Sequence, residues 1–448
     1  MDFYILPVLL ALAGSYFLIK LRFFFLFHPF RTAARALRAV RDKRAARSFF
    51  LALAGTLGVG NVFGVALGIL VGGPGSLFWL LVSMLFAMVI KYAEVVLTGD
   101  NLYHDADTHG GFFYVIRASF CRGGRLLSSL YALTALALSL VMGAALQSDA
   151  LTETVAQMRE VPTLHLAIAF TLLTLVAIIG GAVRIEKITA VIIPLTTVIY
   201  ILLTLGVIFA NLSALPGAIK MIMSTAFRPM SAFGGSLSFF SSRALREGFA
   251  RGLLSNEAGA GTSSIAHARS GVLSPSSAGL LGILEVWFDT GVVCMLTGFA
   301  ILLGVGDLSL VEGGMEAVMR AVGGLCGEVG KTLTLSCVLA FAFGTVICWY
   351  YYGVESWSAL FGRRGRIAFL PLFLSAVFLG CFTDSGLLVA ITDLLMCVAT
   401  ALTLAALIKN SDRVRALSES GGVIDSDRGR LRPFRLKAGV FSRGEKRP

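Results

Sequence analysis

Apolar runs long enough to cross a bilayer, about 20 residues each, recur along the whole of this sequence. A segment in hydrocarbon must satisfy its own backbone polar groups, which makes each such run a helix. Only 14% of the 448 residues are charged and 56% are hydrophobic, so the chain reads as an all-α, polytopic membrane protein with one integrated domain. Spans are expected at Phe3–Leu26, Ser48–Leu70, Pro74–Leu97, Leu126–Gln147, Leu164–Val183, Ile188–Asn211, Leu237–Ala258, Ser277–Leu303, Thr332–Tyr352, Ile367–Phe382 and Leu387–Ile408, eleven in all. The one at Leu237–Ala258 is the least apolar. Asp2 and the lack of a basic leader make the first run a retained span rather than a cleaved signal.

The net charge of +12 is concentrated. Lys20, Arg22, Arg31, Arg35, Arg38, Arg41, Lys43, Arg44 and Arg47 follow the first span, and a second cluster from Arg413 to Lys437 fills the tail. Basic segments beside spans mark the cytoplasmic face and attract anionic lipid; nucleic acid is not expected. Arg117, Arg122 and Arg125, then Arg184 and Lys187, then Arg363, Arg364 and Arg366 fall on that same side, whereas the loops Asn211–Phe233 and Gly304–Gly330 fall opposite. Eleven spans then place the N-terminus outside and the C-terminus in the cytoplasm. The expected organisation is an N-terminal span and basic loop over 1–47, a membrane core over 48–410, and a basic, disordered tail over 411–448. Seven scattered cysteines have no metal-type spacing and read as small hydrophobes.

Within the second span, Gly55-Thr56-Leu57-Gly58-Val59-Gly60-Asn61 interrupts the helical pattern. Three glycines in six residues make continuous helix locally poor. Transporters break spans where freed amides and carbonyls line a cavity and hold substrate or ion. A glycine-packed crossing is the competing reading, and Gly60, Gly64, Gly68 and Gly72 form an i, i+4 stripe suited to it. Packing accounts for the stripe but not for Gly58 or Asn61. Taking the last ten spans as a core, its first and sixth members are both interrupted, the sixth by Gly248, Gly252, Gly259 and Gly261. Breaks at matching positions of two five-span halves point to an inverted-repeat carrier.

Asp289 sits in mid-span, where an ionised carboxylate costs at least about 2.5–3.5 kcal/mol. It reads as part of a cation or proton pathway, or else as the buried partner of Arg246 or Arg251. Glu94 and Lys91 read as a structural i, i+3 pair nearer the membrane surface. His267 is a lone histidine at a cytoplasmic end and carries little weight. No nucleotide-binding, metalloprotease or redox motif occurs, so neither an enzyme nor a cofactor is expected.

Several ordered motifs resemble the alanine or glycine:cation symporter family. They are LAGTLGVGNVFGV at Leu53–Val65, GGPGSLFW at Gly72–Trp79, KYAEVVL at Lys91–Leu97, RGLLSNEAGAGTSSIAHA at Arg251–Ala268, VWFDTGVVCMLTG at Val286–Gly298, and WYYYG at Trp349–Gly353 with Leu360-Phe361-Gly362. The match runs from about Leu51 to Ile408. It departs from the family pattern at Val59, at Leu80-Leu81, at Ala260, at Gly344 in place of a hydroxyl, at Cys348 before the Trp, at Val354, and over Cys397–Ala401.

The resemblance implies a five-plus-five inverted-repeat core preceded by one extra span, in a bacterial or archaeal inner membrane. It implies a symporter that imports small neutral amino acids, alanine or glycine, with Na⁺ as coupling ion. The alternatives are a proton-coupled or differently selective carrier, and an amino-acid sensor that does not transport. The expected substrate residues are Thr56, the amides of Val59 and Gly60 at the start of a half-helix, Asn61, Gln147, and Trp349 as a wall for the side chain. The expected cation residues are the carbonyls of Ala54 and Leu57, Thr345, Asn61 and Asp289, with Na⁺ itself held by Ala54, Leu57 and Thr345. A capping role for Gln147 and lipid or core packing for Trp349 compete with these assignments.

Overall fold

A computed structural model describes residues 5–104, 110–156, 160–227, 242–270, 274–311, 313–362 and 366–424. Among these residues the regular elements are helical and no strand occurs. Helix α1 (Ile5–Lys20) leads to an amphipathic helix α2 (Pro29–Ala39), which buries Thr32, Ala36 and Ala39 and leaves its arginines exposed. Asp42 then caps α3 (Lys43–Thr56), its carboxylate accepting the amides of Arg44 and Ala45 at 2.9 Å. A short 3₁₀ turn, Val59–Asn61, joins α3 to α4 (Phe63–Gly72), and the pair is bent by 65°. The expected break therefore exists as a sharp bend.

Helix α5 (Ser76–His104) runs through the middle of the bundle. The next span is α6 (Gly124–Leu140), a π turn at Val141–Ala145 and α7 (Leu146–Ala156). Helices α8 (Thr163–Ile178) and α9 (Gly181–Ala210) follow. The second interrupted segment comprises α10 (Arg243–Asn256) and the short α11 (Ser264–His267). Another π turn, Trp287–Cys294, lies between α12 (Pro275–Val286) and α13 (Met295–Gly304). The chain closes with α14 (Gly314–Phe361), α15 (Arg366–Gly380), α16 (Ser385–Lys409) and α17 (Ser411–Ser420).

Six of these helical stretches are long and apolar enough to cross a membrane, seven if the bent pair α3–α4 counts as one span, and three shorter apolar helices accompany them. The molecule is thus a multi-pass membrane protein. Without a hydrophobic drive between helices in lipid, close backbone approach does the packing. Helix α5 shows it: a Cβ on Gly248 or Gly252 of α10, or on Gly279 or Gly282 of α12, would collide with its side chains or carbonyls. The glycine stripe of α4 is used the same way. A Cβ on Gly68 or Gly72 would press on Arg251 or Glu247 of α10 at 3.1 Å and 2.8 Å, whereas one on Gly60 meets nothing within 4 Å.

Two expectations need correction. The loop expected at Gly304–Gly330 is helical from Gly314 onward, kinked at Gly327, where φ is 56°. The tail is not irregular from Ser411: α17 buries Val414 and Ser418 against the bundle, and Ser418 accepts a hydrogen bond from Tyr92 at 2.8 Å. Its Ser, Glu and Arg residues conceal a short amphipathic period whose seat is made by other helices. The tail beyond 424, the loop residues Arg363 and Arg364, and the start of the expected span at 237 lie outside the described residues.

Candidate functional site

Helix α3 loses its regular ladder at Gly58. The amide of Leu57 still reaches Leu53 O at 2.7 Å, but that of Gly58 turns to Thr56 O at 2.9 Å and Asn61 Oδ1 at 3.1 Å. One face of α14 meets the carbonyls along this end of α3. Cys348 Sγ lies 3.1 Å from Leu51 O, and the Trp349 indole donates to Gly55 O at 3.3 Å. Thr345 Oγ1 lies 3.0 Å from Ala54 O, 3.3 Å from Leu57 O and 3.0 Å from Phe341 O. A hydroxyl has one proton to give, so it can serve only one of three carbonyls. The others present lone pairs to a shared point, which is the donor set a hard cation takes. Ala54, Leu57 and Thr345 are thus brought together.

The amide of Val59 points the other way and donates to Gln147 Oε1 at 3.2 Å. Gln147 Nε2 in turn reaches Met142 O, at 3.4 Å, in the π turn of the α6–α7 span. A Cβ at Gly58 would lie 2.9 Å from Thr345 Oγ1 and 3.0 Å from Gln147 Oε1, so a side chain at this position would crowd both. Beside it opens a cavity of about 240 Å³ lined by Thr56, Val59, Gly60, Gln147 and Thr345, among others. Gly60 is exposed to it. The volume falls just below the ~300–1,000 Å³ common for drug-sized ligands and suits a small solute.

The expected set divides here. Asn61 and Trp349 do not line this cavity. Trp349 is fully buried, wedged against Gly143 of the π turn and edge-on to Tyr352 at 5.3 Å. Asn61 donates instead to Asp289 Oδ1 at 2.5 Å and to Ser255 Oγ at 2.9 Å. Asp289 Oδ2 accepts from Ser255 Oγ at 2.5 Å and Thr290 Oγ1 at 2.8 Å. Asn61 and Asp289 therefore form a separate joint, one that ties the first break to the end of α10 and to the second π turn. The ion pair of Asp289 with Arg246 or Arg251 is not found, because both arginines pair with Glu247, at 3.5 Å and 3.2 Å.

Sequence reasoning missed Asp149 and Glu153 on α7 and Arg251 on α10, all of which line the cavity. The i, i+4 spacing from Asp149 to Glu153, a turn beyond Gln147, carried the signal, but the span was ended at Gln147. The i, i+3 pairing expected between Lys91 and Glu94 is not found, because each turns to a different segment. Both are fully buried, and Lys91 Nζ binds Ser263 Oγ at 2.7 Å and Glu285 at 3.5 Å.

The chain is similar to known transport proteins over most of its length. The chain matches the model of the Sodium:alanine symporter family over residues 1–419. It is 32% identical over 398 residues to an uncharacterized transporter of Haemophilus influenzae, covering 87% of each chain. It is 31% identical over 365 residues to the sodium/alanine symporter AgcS of Methanococcus maripaludis, covering 78% of each chain. With the amino-acid carrier protein AlsT of Bacillus subtilis it shares 30% over 355 residues, 78% of this chain and 74% of AlsT. The chain belongs to the sodium:alanine symporter family.

Proposed function

We propose that the protein is a secondary active symporter that imports a small neutral amino acid, alanine or glycine, together with Na⁺. The observation that carries this reading is the convergence of Ala54 O, Leu57 O and Thr345 Oγ1 beside a small cavity that meets the same break. Na⁺ is cargo at this point, held by the two carbonyls and the hydroxyl. The substrate carboxylate takes the amides of Val59 and Gly60, displacing Gln147 Oε1 from Val59, and Gln147 then turns its amide to the substrate. Both ligands bind the bend of one interrupted span, so each favours the other by ordering that bend.

Alternating access follows by rocking of one helix group against another around the site. Eleven spans, a five-plus-five inverted repeat, an external N-terminus and a cytoplasmic C-terminus in a prokaryotic inner membrane complete the proposal. The names of two relatives, a sodium/alanine symporter and an amino-acid carrier, support it. Uptake of labelled alanine and glycine into proteoliposomes under Na⁺, Li⁺ and proton gradients is the test. Uptake driven by Na⁺ alone supports the reading. Uptake driven by protons alone, or binding without counterflow, rejects it in favour of a proton-coupled carrier or a sensor.

A further inference from the structure

A second polar cluster gathers around residues 257–263, between α10 and α11, and no part of it lines the cavity. The backbone there is left-handed at Glu257 (φ 53°), Gly259 (φ 90°) and Gly261 (φ 72°). For glutamate that conformation is uncommon and strained. Five ionisable side chains converge on the segment, each no more than 1% exposed: Lys91 and Glu94 of α5, Glu257 itself, His267 of α11 and Glu285 of α12.

Their hydrogen bonds leave a charge imbalance. Lys91 gives its ammonium to Ser263 and Glu285, and Glu285 Oε2 also bonds His267 Nε2 at 2.6 Å. Glu94 Oε1 accepts the amide of Gly259 at 2.7 Å, and Glu257 Oε2 accepts the Thr262 hydroxyl at 2.5 Å. Glu94 Oε2 and Glu257 Oε1 are buried without any hydrogen-bond partner, and neither carboxyl has an ion pair among the described residues. Among the described residues, the other titratable groups near the cluster bring no cation. They are Asp289 of the second π turn, Tyr131 of α6, whose hydroxyl donates to Ala260 O, and Cys348 and Tyr352 of α14. Arg269 is taken by Glu186 and lies over the Tyr351 ring, while the arginines of α2, which packs on α12, stay exposed.

Two buried carboxylates with one oxygen each unpaired, and only one ammonium already engaged by a third, are a costly arrangement in the charged form. A buried acid in that position takes a proton and becomes neutral. The geometry points to a proton-binding site: Glu94 and Glu257 hold protons at neutral pH, and these exchange with solvent. The inference stands apart from the identity of the transported solute.

The test is the infrared carbonyl band of protonated carboxylic acids, read on the purified full-length protein from about pH 5 to about pH 10. The band is expected at neutral pH, to shift in D₂O and to fade as pH rises. It should lose intensity in Glu94→Gln and again in Glu257→Gln, each eluting from gel filtration as the native protein does. Thr262→Val, which removes the hydroxyl that Glu257 accepts, should shift the band without removing it. A band unchanged by both Gln variants, or one that never exchanges with D₂O, overturns the proposal. Because no substrate is added, a titrating band in a protein that moves no amino acid would leave the proton site standing and reject only the proposed substrate.

Discussion

Replacing Thr345 by valine removes one oxygen from the proposed ion seat and keeps the shape of the side chain. The methyl group that replaces Oγ1 would sit 3.0 Å from Ala54 O and 3.3 Å from Leu57 O, tight but not a gross clash. The protein itself loses a hydroxyl–carbonyl bond worth about 1 kcal/mol, too little to unfold it. The ion loses more, because an oxygen on a full charge compares with a charged hydrogen bond, about 1.5–3 kcal/mol. At about 1.4 kcal/mol per tenfold, the Na⁺ concentration for half-maximal alanine uptake should rise roughly 10- to 100-fold. Thr345→Ser keeps the oxygen and should stay close to the native value. The assay is uptake titrated against Na⁺ at fixed pH in proteoliposomes. A Thr345→Val carrier with native sodium dependence would refute the seat, whatever its maximal rate.

Three further outcomes follow from the same geometry. Gly60→Val fills the open side of the cavity, where a Cβ meets nothing within 4 Å, so insertion and thermal stability should be native while binding of labelled alanine is lost. Trp349→Ala empties a fully buried site and should cost about 3–5 kcal/mol, seen as a lower unfolding temperature in detergent, with no new uptake of leucine. Asp289→Asn turns one of two accepting oxygens into a donor facing Asn61, Ser255 or Thr290, and should cost roughly 1–3 kcal/mol of stability, read by the same melt.

The bend at Gly58 was legible because glycine density is a backbone property that neighbours cannot undo. The partition of the glycine stripe was half legible: Gly68 and Gly72 serve a crossing as the i, i+4 spacing implied, but only the position of α10 shows that Gly60 does not. The pairing of Lys91 and Glu94 was not legible because a helical period says which face a residue occupies and nothing about which other segments pack there. Their partners, Ser263, Gly259 and Glu285, come from segments more than 160 residues away. Trp349 was placed as a wall by resemblance, and the packing of Gly143 against it is invisible until the two spans are side by side. Neither π turn left a mark in the hydropathy pattern, which changes little when one residue is added to an apolar helix.

That last point bears on how such chains tolerate insertion and deletion. A π turn is an α-helix carrying one surplus residue, and the wide turn at Val141–Ala145 absorbs it locally, so the two halves of its span keep nearly one angular phase. Deleting a single residue there would leave a regular helix at about 3.6 residues per turn, with Gln147, Asp149 and Glu153 still facing the cavity. What would go is the wide turn itself: Met142 O, which now meets Gln147 Nε2, would return to the helical ladder. A chain one residue shorter at this point would thus keep its wall and lose the carbonyl that steadies it.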